Sequence, residues 1–191
     1  MNFPVLYTER LVLREILPTD ALDVLVFRGD PVVQKYDDPP IHTEQEALDF
    51  IEEIRLERVA QKSQSWGIAF KENNRLIGAV GFWYWDHYHR RAELGYGIAT
   101  AYWGKGIAQE AVKTVVRHGF EDMGLHRIYS RTLVVNERSV RMLERLQFVR
   151  EGTQRGYSLE EDGKFYNSAL FGIVRTDWGY SDLDIQATGT E

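Results

Sequence analysis

The chain has 191 residues, a formal net charge of -6 and no cysteine. Without cysteine there are no disulfides, no thiolate metal sites and no cysteinyl intermediate in any group transfer. At 43% hydrophobic and 27% charged residues the composition is that of a globular protein, and it excludes disorder as the dominant state. A chain this long buries roughly 70% of its unfolded surface without covalent staples. The acidic balance (pI about 5.5) argues against a nucleic-acid partner. The longest apolar run, Ile77 to Trp85, spans 9 residues. A membrane span needs about 20, so no membrane partner is expected. Charges interrupt the first eleven residues where a signal peptide would need an apolar core, and the expected location is cytoplasmic.

In chain order, residues 5–17 alternate as a first strand, with Leu11 and Leu13 on one face. Pro18 and Asp20 open a helix to about Phe27. Residues 30–40 hold three of the five prolines and read as irregular. Thr43 and Glu46 form a capping box for a helix to about Ala60. Strands at 65–71 and 75–85 flank a hairpin turn at 72–74. In the second of them Trp83 and Trp85 fall on one face, and Phe82 and Tyr84 on the other. A strand at 91–99 leads to a helix over 104–122, whose apolar stripe includes Ile107, Ala111, Val115 and Phe120. A strand at 126–135, a short helix at 136–146 and two strands at 147–153 and 164–175 complete the order. The class is α+β with a single mixed sheet, antiparallel hairpins first and a strand-helix-strand unit in the middle. One domain is expected over 1–178, with a frayed tail at 179–191.

Chemistry concentrates where the strand at 91–99 meets the long helix. Two glycines flanking Lys105 leave backbone N–H groups unobstructed at a helix start, where donors lack internal partners and the macrodipole is positive. That arrangement suits a pyrophosphate. A Walker A loop fails, because Ala99 stands at the first glycine and Gly106 follows the lysine. A dinucleotide fingerprint fails for want of a third glycine. His87 and His89 have only Asp86 as a nearby carboxylate, so no metal site is expected there.

The segment 92–111, AELGYGIATAYWGKGIAQEA, resembles the acetyl-CoA-binding core of the GNAT superfamily of N-acetyltransferases, and most resembles its ribosomal-protein N-acetyltransferase (RimJ/RimL-like) branch. The family signature, Gln/Arg-x-x-Gly-x-Gly/Ala, reads here Trp103-Gly104-Lys105-Gly106-Ile107-Ala108, with Trp at the first position. The block Asn136 to Phe148 is similar to the family's Asn-x-x-Ser to Gly-Phe block, with Gln147 in place of Gly. The opening, Thr8 to Arg14, and the segment Asp162 to Asn167 add two more matches in the right order.

The resemblance implies a splayed sheet admitting coenzyme A between the strands at 91–99 and 126–135. Pantetheine would pair with backbone near Ile98, and the pyrophosphate would sit on the amides from Gly104 to Ala108. Asn136 caps its helix whatever else it does, and a coenzyme contact is expected in addition. Glu93 is expected as general base, directly or through water, or as a structural carboxylate. Ser139 is expected either to donate a hydrogen bond to the departing thiolate or to make a local helix-start bond. The position four residues later, where many family members carry a tyrosine acid, is Leu143, which closes that route. Glu160 and Glu161 would attract a cationic amine or be solvated. The expected reaction moves acetyl from acetyl-CoA to a primary amine, with a protein or peptide N-terminal α-amine as acceptor. A polyamine or aminoglycoside acceptor is the alternative within enzymes, and a coenzyme-A-binding regulatory module the alternative outside them. The chain is expected as a monomer or homodimer.

Overall fold

The computed structural model describes residues 3–160 and 162–178. The expected tail at 179–191 therefore lies outside the described residues, as does Glu161. Eight strands form one mixed sheet in the order β1-β2-β3-β4-β5-β6-β8-β7. They are β1 (Leu6–Tyr7), β2 (Leu11–Arg14), β3 (Gln64–Phe70), β4 (Leu76–Asp86), β5 (Arg91–Ile98), β6 (Arg127–Leu133), β7 (Val149–Leu159) and β8 (Phe165–Val174). The helices are α1 (Ala21–Arg28), α2 (Glu44–Val59), α3 (Ile107–Glu121), α4 (Glu137–Arg145) and α5 (Arg175–Trp178). The expected mixed sheet flanked by helices is what forms.

Two apolar cores lie on the two faces of the sheet. One joins Val112, Val115, Val116 and Phe120 of α3 and Leu143 of α4 to Leu11, Trp66, Phe82, Leu94 and Ile128. A Cβ at Gly119 would come 2.7 Å from the Phe82 ring, so this glycine sets how closely α3 approaches β4. The second core joins Val24 and Phe27 of α1 and Ala47 and Ile51 of α2 to Leu76, Ala79 and Ala99. Thr43 caps α2 with the reciprocal Glu46 bond that the spacing predicts.

Four elements depart from the sequence expectation. The first strand is a hairpin, β1 paired antiparallel with β2, because the chain turns at Thr8 to Arg10. α3 begins at Ile107 instead of residue 104, since Gly104 and Gly106 adopt φ of +76° and +73°, outside any right-handed helix. β7 runs six residues further than expected. It is an edge strand exposed on both faces, so burial imposes no alternation on its polar second half. The regular alternation across residues 82–85 also breaks. Tyr84 has φ +49° and the β4–β5 register shifts between Trp83 and Asp86. This bulge turns Tyr84 onto the same cavity wall as Trp83 and Trp85, while Phe82 stays in the core.

The sheet is split. β5 and β6 run parallel, yet they pair only at Arg91–Arg127, Ala92–Ile128 and Glu93–Tyr129. Beyond that point β5 stays on β4 as far as Ile98, and β6 stays on β8 as far as Leu133. The two arms diverge and leave facing backbone edges unpaired.

Candidate active site

The site grows from this fork. The Ala99 amide donates to Ile77 O at 2.9 Å, so strand alternation aims the Tyr96 and Ile98 amides away from β4 and into the gap. The Ile98 carbonyl is already taken, accepting from Trp103 Nε1 at 2.9 Å. Trp103 at the first signature position thus ties the loop to the end of β5, and the Ile98 amide is a donor aimed into the gap. Nothing lies within 4 Å of a Cβ built on Gly97 or on Gly104. Both glycines border open space that a side chain would fill. Gly95 is bare for another reason, since a Cβ there would come 2.9 Å from the Trp83 ring.

The amides of Ile107, Ala108 and Gln109 open α3, and helix geometry gives them no internal acceptor. Lys105 is exposed beside them. The Arg138 guanidinium, on α4, lies 3.7 Å over the Trp103 ring and adds a second cation at this edge. The sequence reading missed Arg138, although it stands inside the Asn136–Ser139 block. Bare glycines, free helix-start amides and flanking cations fit the pyrophosphate and pantetheine of acetyl-CoA.

The loop is braced from the other end of the chain. Thr8 Oγ1 and the Arg10 amide donate to Glu110 Oε1. Arg10 Nε donates to Glu110 Oε2 at 2.7 Å, and Arg10 Nη1 donates to Lys105 O at 3.0 Å. Burial alone would raise the Glu110 carboxyl, but these donors outweigh it and hold the carboxyl below the usual range.

A cavity of about 430 Å³ occupies the fork. Its wall includes Glu93, Gly95, Tyr96, Gly97, Asn136 and Ser139, and on the α1 and α2 side Arg28, Asp37, Asp38 and Trp83. Of the predicted site residues it brings together Glu93, Asn136 and Ser139. Ile98 and residues 103–108 stand outside this wall, at the far end of β5. Glu160 sits in the β7–β8 hairpin and is not part of the wall either.

Asn136 caps α4, its Oδ1 accepting from the Ser139 amide at 3.3 Å. Ser139 Oγ lies 2.8 Å from the Tyr96 hydroxyl. Leu143 is fully buried, as expected of a core residue, but a phenol reaches Ser139 from β5 all the same. Burial pushes the Tyr96 phenol up to about 12, and its bond with Ser139 offsets only part of the shift. Glu93 accepts two bonds from one guanidinium: Arg131 Nε at 3.0 Å and Arg131 Nη2 at 2.8 Å. One lone pair on each carboxylate oxygen stays free. Arg131 also stacks on Tyr157. His87 stacks on Trp85, with its Nε2 2.8 Å from Gln61 O, which is the aromatic packing the loop composition suggests.

The mixed sheet splits between β5 and β6, and a glycine-rich helix start follows β5. Residues 10–149 match the acetyltransferase (GNAT) domain family, and the chain belongs to that family. It is an acetyl-CoA-dependent N-acetyltransferase. An uncharacterised N-acetyltransferase of Bacillus subtilis, YoaA, is 34% identical over 91% of this chain and 98% of its own length. The uncharacterised N-acetyltransferase p20 of Bacillus licheniformis is 33% identical over 91% of this chain and 97% of its own. The crystal structure of a GNAT-family acetyltransferase from Bacillus anthracis shares the fold, with a TM-score of 0.80 at 24% identity over 91% of this chain and 99% of that one. Among the described residues no helix is long and apolar enough to cross a membrane.

Proposed function

We propose that this chain acetylates a protein or peptide N-terminal α-amine by direct attack of the amine on acetyl-CoA in a ternary complex. The cavity through the split sheet carries the reading. It joins the α3–α4 face, where Tyr96 and Ser139 stand, to the α1–α2 face, where Glu93 and the 33–38 segment stand. Donor and acceptor can therefore meet from opposite faces. Three carboxylates (Asp37, Asp38, Glu93) and two guanidiniums (Arg28, Arg131) line it, leaving one formal net negative charge. One ammonium balances that charge; a polyamine brings more.

Each of those carboxylates is already engaged: Glu93 with Arg131, Asp38 with Arg28, and Asp37 with the Asp38 amide. Such a site favours an amine that loses its proton cheaply. At pH 7 a lysine-like amine with pKa about 10.4 costs about 4–5 kcal/mol to deprotonate, and an α-amine near 8 about 1.4 kcal/mol. Glu93 takes up that proton through a water held on its free lone pairs. Amides of the β5 edge at Tyr96 and Ile98 hold the oxygen that gains negative charge. Ser139 donates to the sulfur as the C–S bond breaks.

Two relatives span the acceptor question. The ribosomal protein uS5-alanine N-acetyltransferase of Escherichia coli is 34% identical over 44% of this chain, and the spermidine N(1)-acetyltransferase of Vibrio cholerae 29% over 56%. Thiol release from acetyl-CoA, measured across free-N-terminal peptides, Nα-blocked lysine peptides and spermidine, tests the reading. Turnover with free α-amines, at least about tenfold faster in kcat/KM than with the others, is expected. Faster turnover with spermidine or blocked lysine peptides would overturn the α-amine assignment.

A further inference from the structure

We infer that Tyr96 is a positioning residue for thioester cleavage, its phenol donating to Ser139 Oγ so that the serine proton is free to face the leaving sulfur. The inference rests on the proposed role of Ser139 and goes beyond it by supplying the group that orients this hydroxyl. β5 carries Tyr96 and α4 carries Ser139, and the fork brings their oxygens to 2.8 Å across 43 residues of chain. Both side chains line the cavity.

The direction of this bond matters, because a hydroxyl has one proton and two acceptor lone pairs. If Ser139 donated to Tyr96, its only proton would point away from the reacting atoms. If Tyr96 donates, Ser139 accepts and keeps its proton for another partner. The Ser139 amide is occupied separately, on Asn136 Oδ1, so the serine backbone stays fixed on the cap while Oγ serves the pair. The chain O–H···O–H···S then polarises in one direction as charge grows on sulfur, which strengthens each link. The phenol stays protonated through the whole working pH range, since burial holds it near 12.

No proton passes along the pair. The amine nitrogen forms the new bond to the acetyl carbon, the C–S bond breaks, and its electron pair leaves on sulfur. A thiol has pKa about 8.5, far below either hydroxyl, so sulfur needs hydrogen-bond donation and not a proton from Ser139 or Tyr96. The amine's own proton leaves towards Glu93 and water on the opposite face. The positive end of α4 favours the same developing charge, because Ser139 lies in its first turn.

Tyr96→Phe removes one oxygen and keeps the ring. Steady-state kinetics of Tyr96→Phe, Ser139→Ala and the double variant, with melting temperatures, form the test. Expected is a kcat loss of about tenfold in Tyr96→Phe and about tenfold to a hundredfold in Ser139→Ala, KM for acetyl-CoA within about twofold, and no further kcat loss in the double variant. Ser139→Thr, which keeps a hydroxyl, should retain most activity and remain sensitive to Tyr96→Phe. This variant keeps the inference testable if Ser139→Ala proves unstable. If Ser139→Ala loses kcat and Tyr96→Phe does not, the Tyr96 inference is overturned while the role of Ser139 stands. If Ser139→Ala keeps normal kcat, the role of Ser139 itself fails. Multiplicative losses in the double variant would overturn the coupling.

Discussion

Gly104 and Gly106 share a left-handed backbone but differ in what surrounds them. A Cβ at Gly104 meets open space, whereas one at Gly106 would stand 3.6 Å from Arg10 Nη2. An aspartate at 106 would find a cation that already belongs to Glu110, and its effect would mix two causes. Position 104 separates them. Gly104→Asp places a negative charge where the pyrophosphate is proposed to lie, and aspartate tolerates positive φ better than most residues. Acetyl-CoA affinity in calorimetry should fall at least about tenfold, or 1.4 kcal/mol. Gly104→Asn carries the same shape without the charge and should lose much less. Equal affinities in the two variants would move the phosphates away from this loop.

At the scale of elements, the β1–β2 turn acts as a brace for α3. Thr8 and Arg10 meet Glu110 about 100 residues later, and Arg10 also holds the carbonyl of Lys105 in the glycine-rich loop. Glu110 has its carboxyl held low in the folded state, so the stability it adds is present above the ordinary carboxylate pKa, about 4.3. That stability is lost as pH falls below this value through the folded-state pKa. Glu110→Gln should cost about 1 kcal/mol at neutral pH, or roughly 2–4 °C in melting temperature. Its melting temperature should also fall less steeply than that of the unaltered chain between about pH 5 and pH 3.5. Parallel pH profiles for the two proteins would remove Glu110 from the acid transition.

For the whole molecule, the decisive feature is where the sheet divides. Glu93 and Tyr129 are the last paired residues of β5 and β6, and the Glu93–Arg131 ion pair spans the two arms at this point. One residue therefore stands both at the crotch of the fork and on the α1–α2 side of the cavity. As the proposed proton acceptor through water, Glu93 makes a kinetic forecast. Glu93→Gln should lower kcat by about 10² and flatten the acidic limb of its pH profile, with KM for acetyl-CoA little changed. A tie between the arms makes the other forecast, a lower melting temperature with the shape of the pH profile preserved. The second outcome alone would leave Glu93 structural.

The amino-acid sequence alone determines what is local. Residues three and four apart write the apolar stripe of α3, Thr43 and Glu46 write the cap of α2, and Asn136 writes that of α4. Gly104 to Ala108 are contiguous, so a glycine-rich helix start could be read from them before any packing was known. The RimJ/RimL-like resemblance located the fork between the right strands for the same reason, since each of its blocks is a short continuous stretch. Tertiary structure decided everything that joins distant residues. The bulge at Tyr84 depends on β5 pairing with β4 and breaks a period-two pattern that residues 82–85 would otherwise keep. The Thr8–Arg10 brace and the Tyr96–Ser139 pair leave no periodic trace, because a hydrogen bond across 43 or 102 residues constrains neither partner's neighbours. Leu143 shows the consequence: with no phenol four residues after Ser139 the tyrosine route looks closed along the chain, and only the folding of β5 against α4 brings Tyr96 to the same hydroxyl.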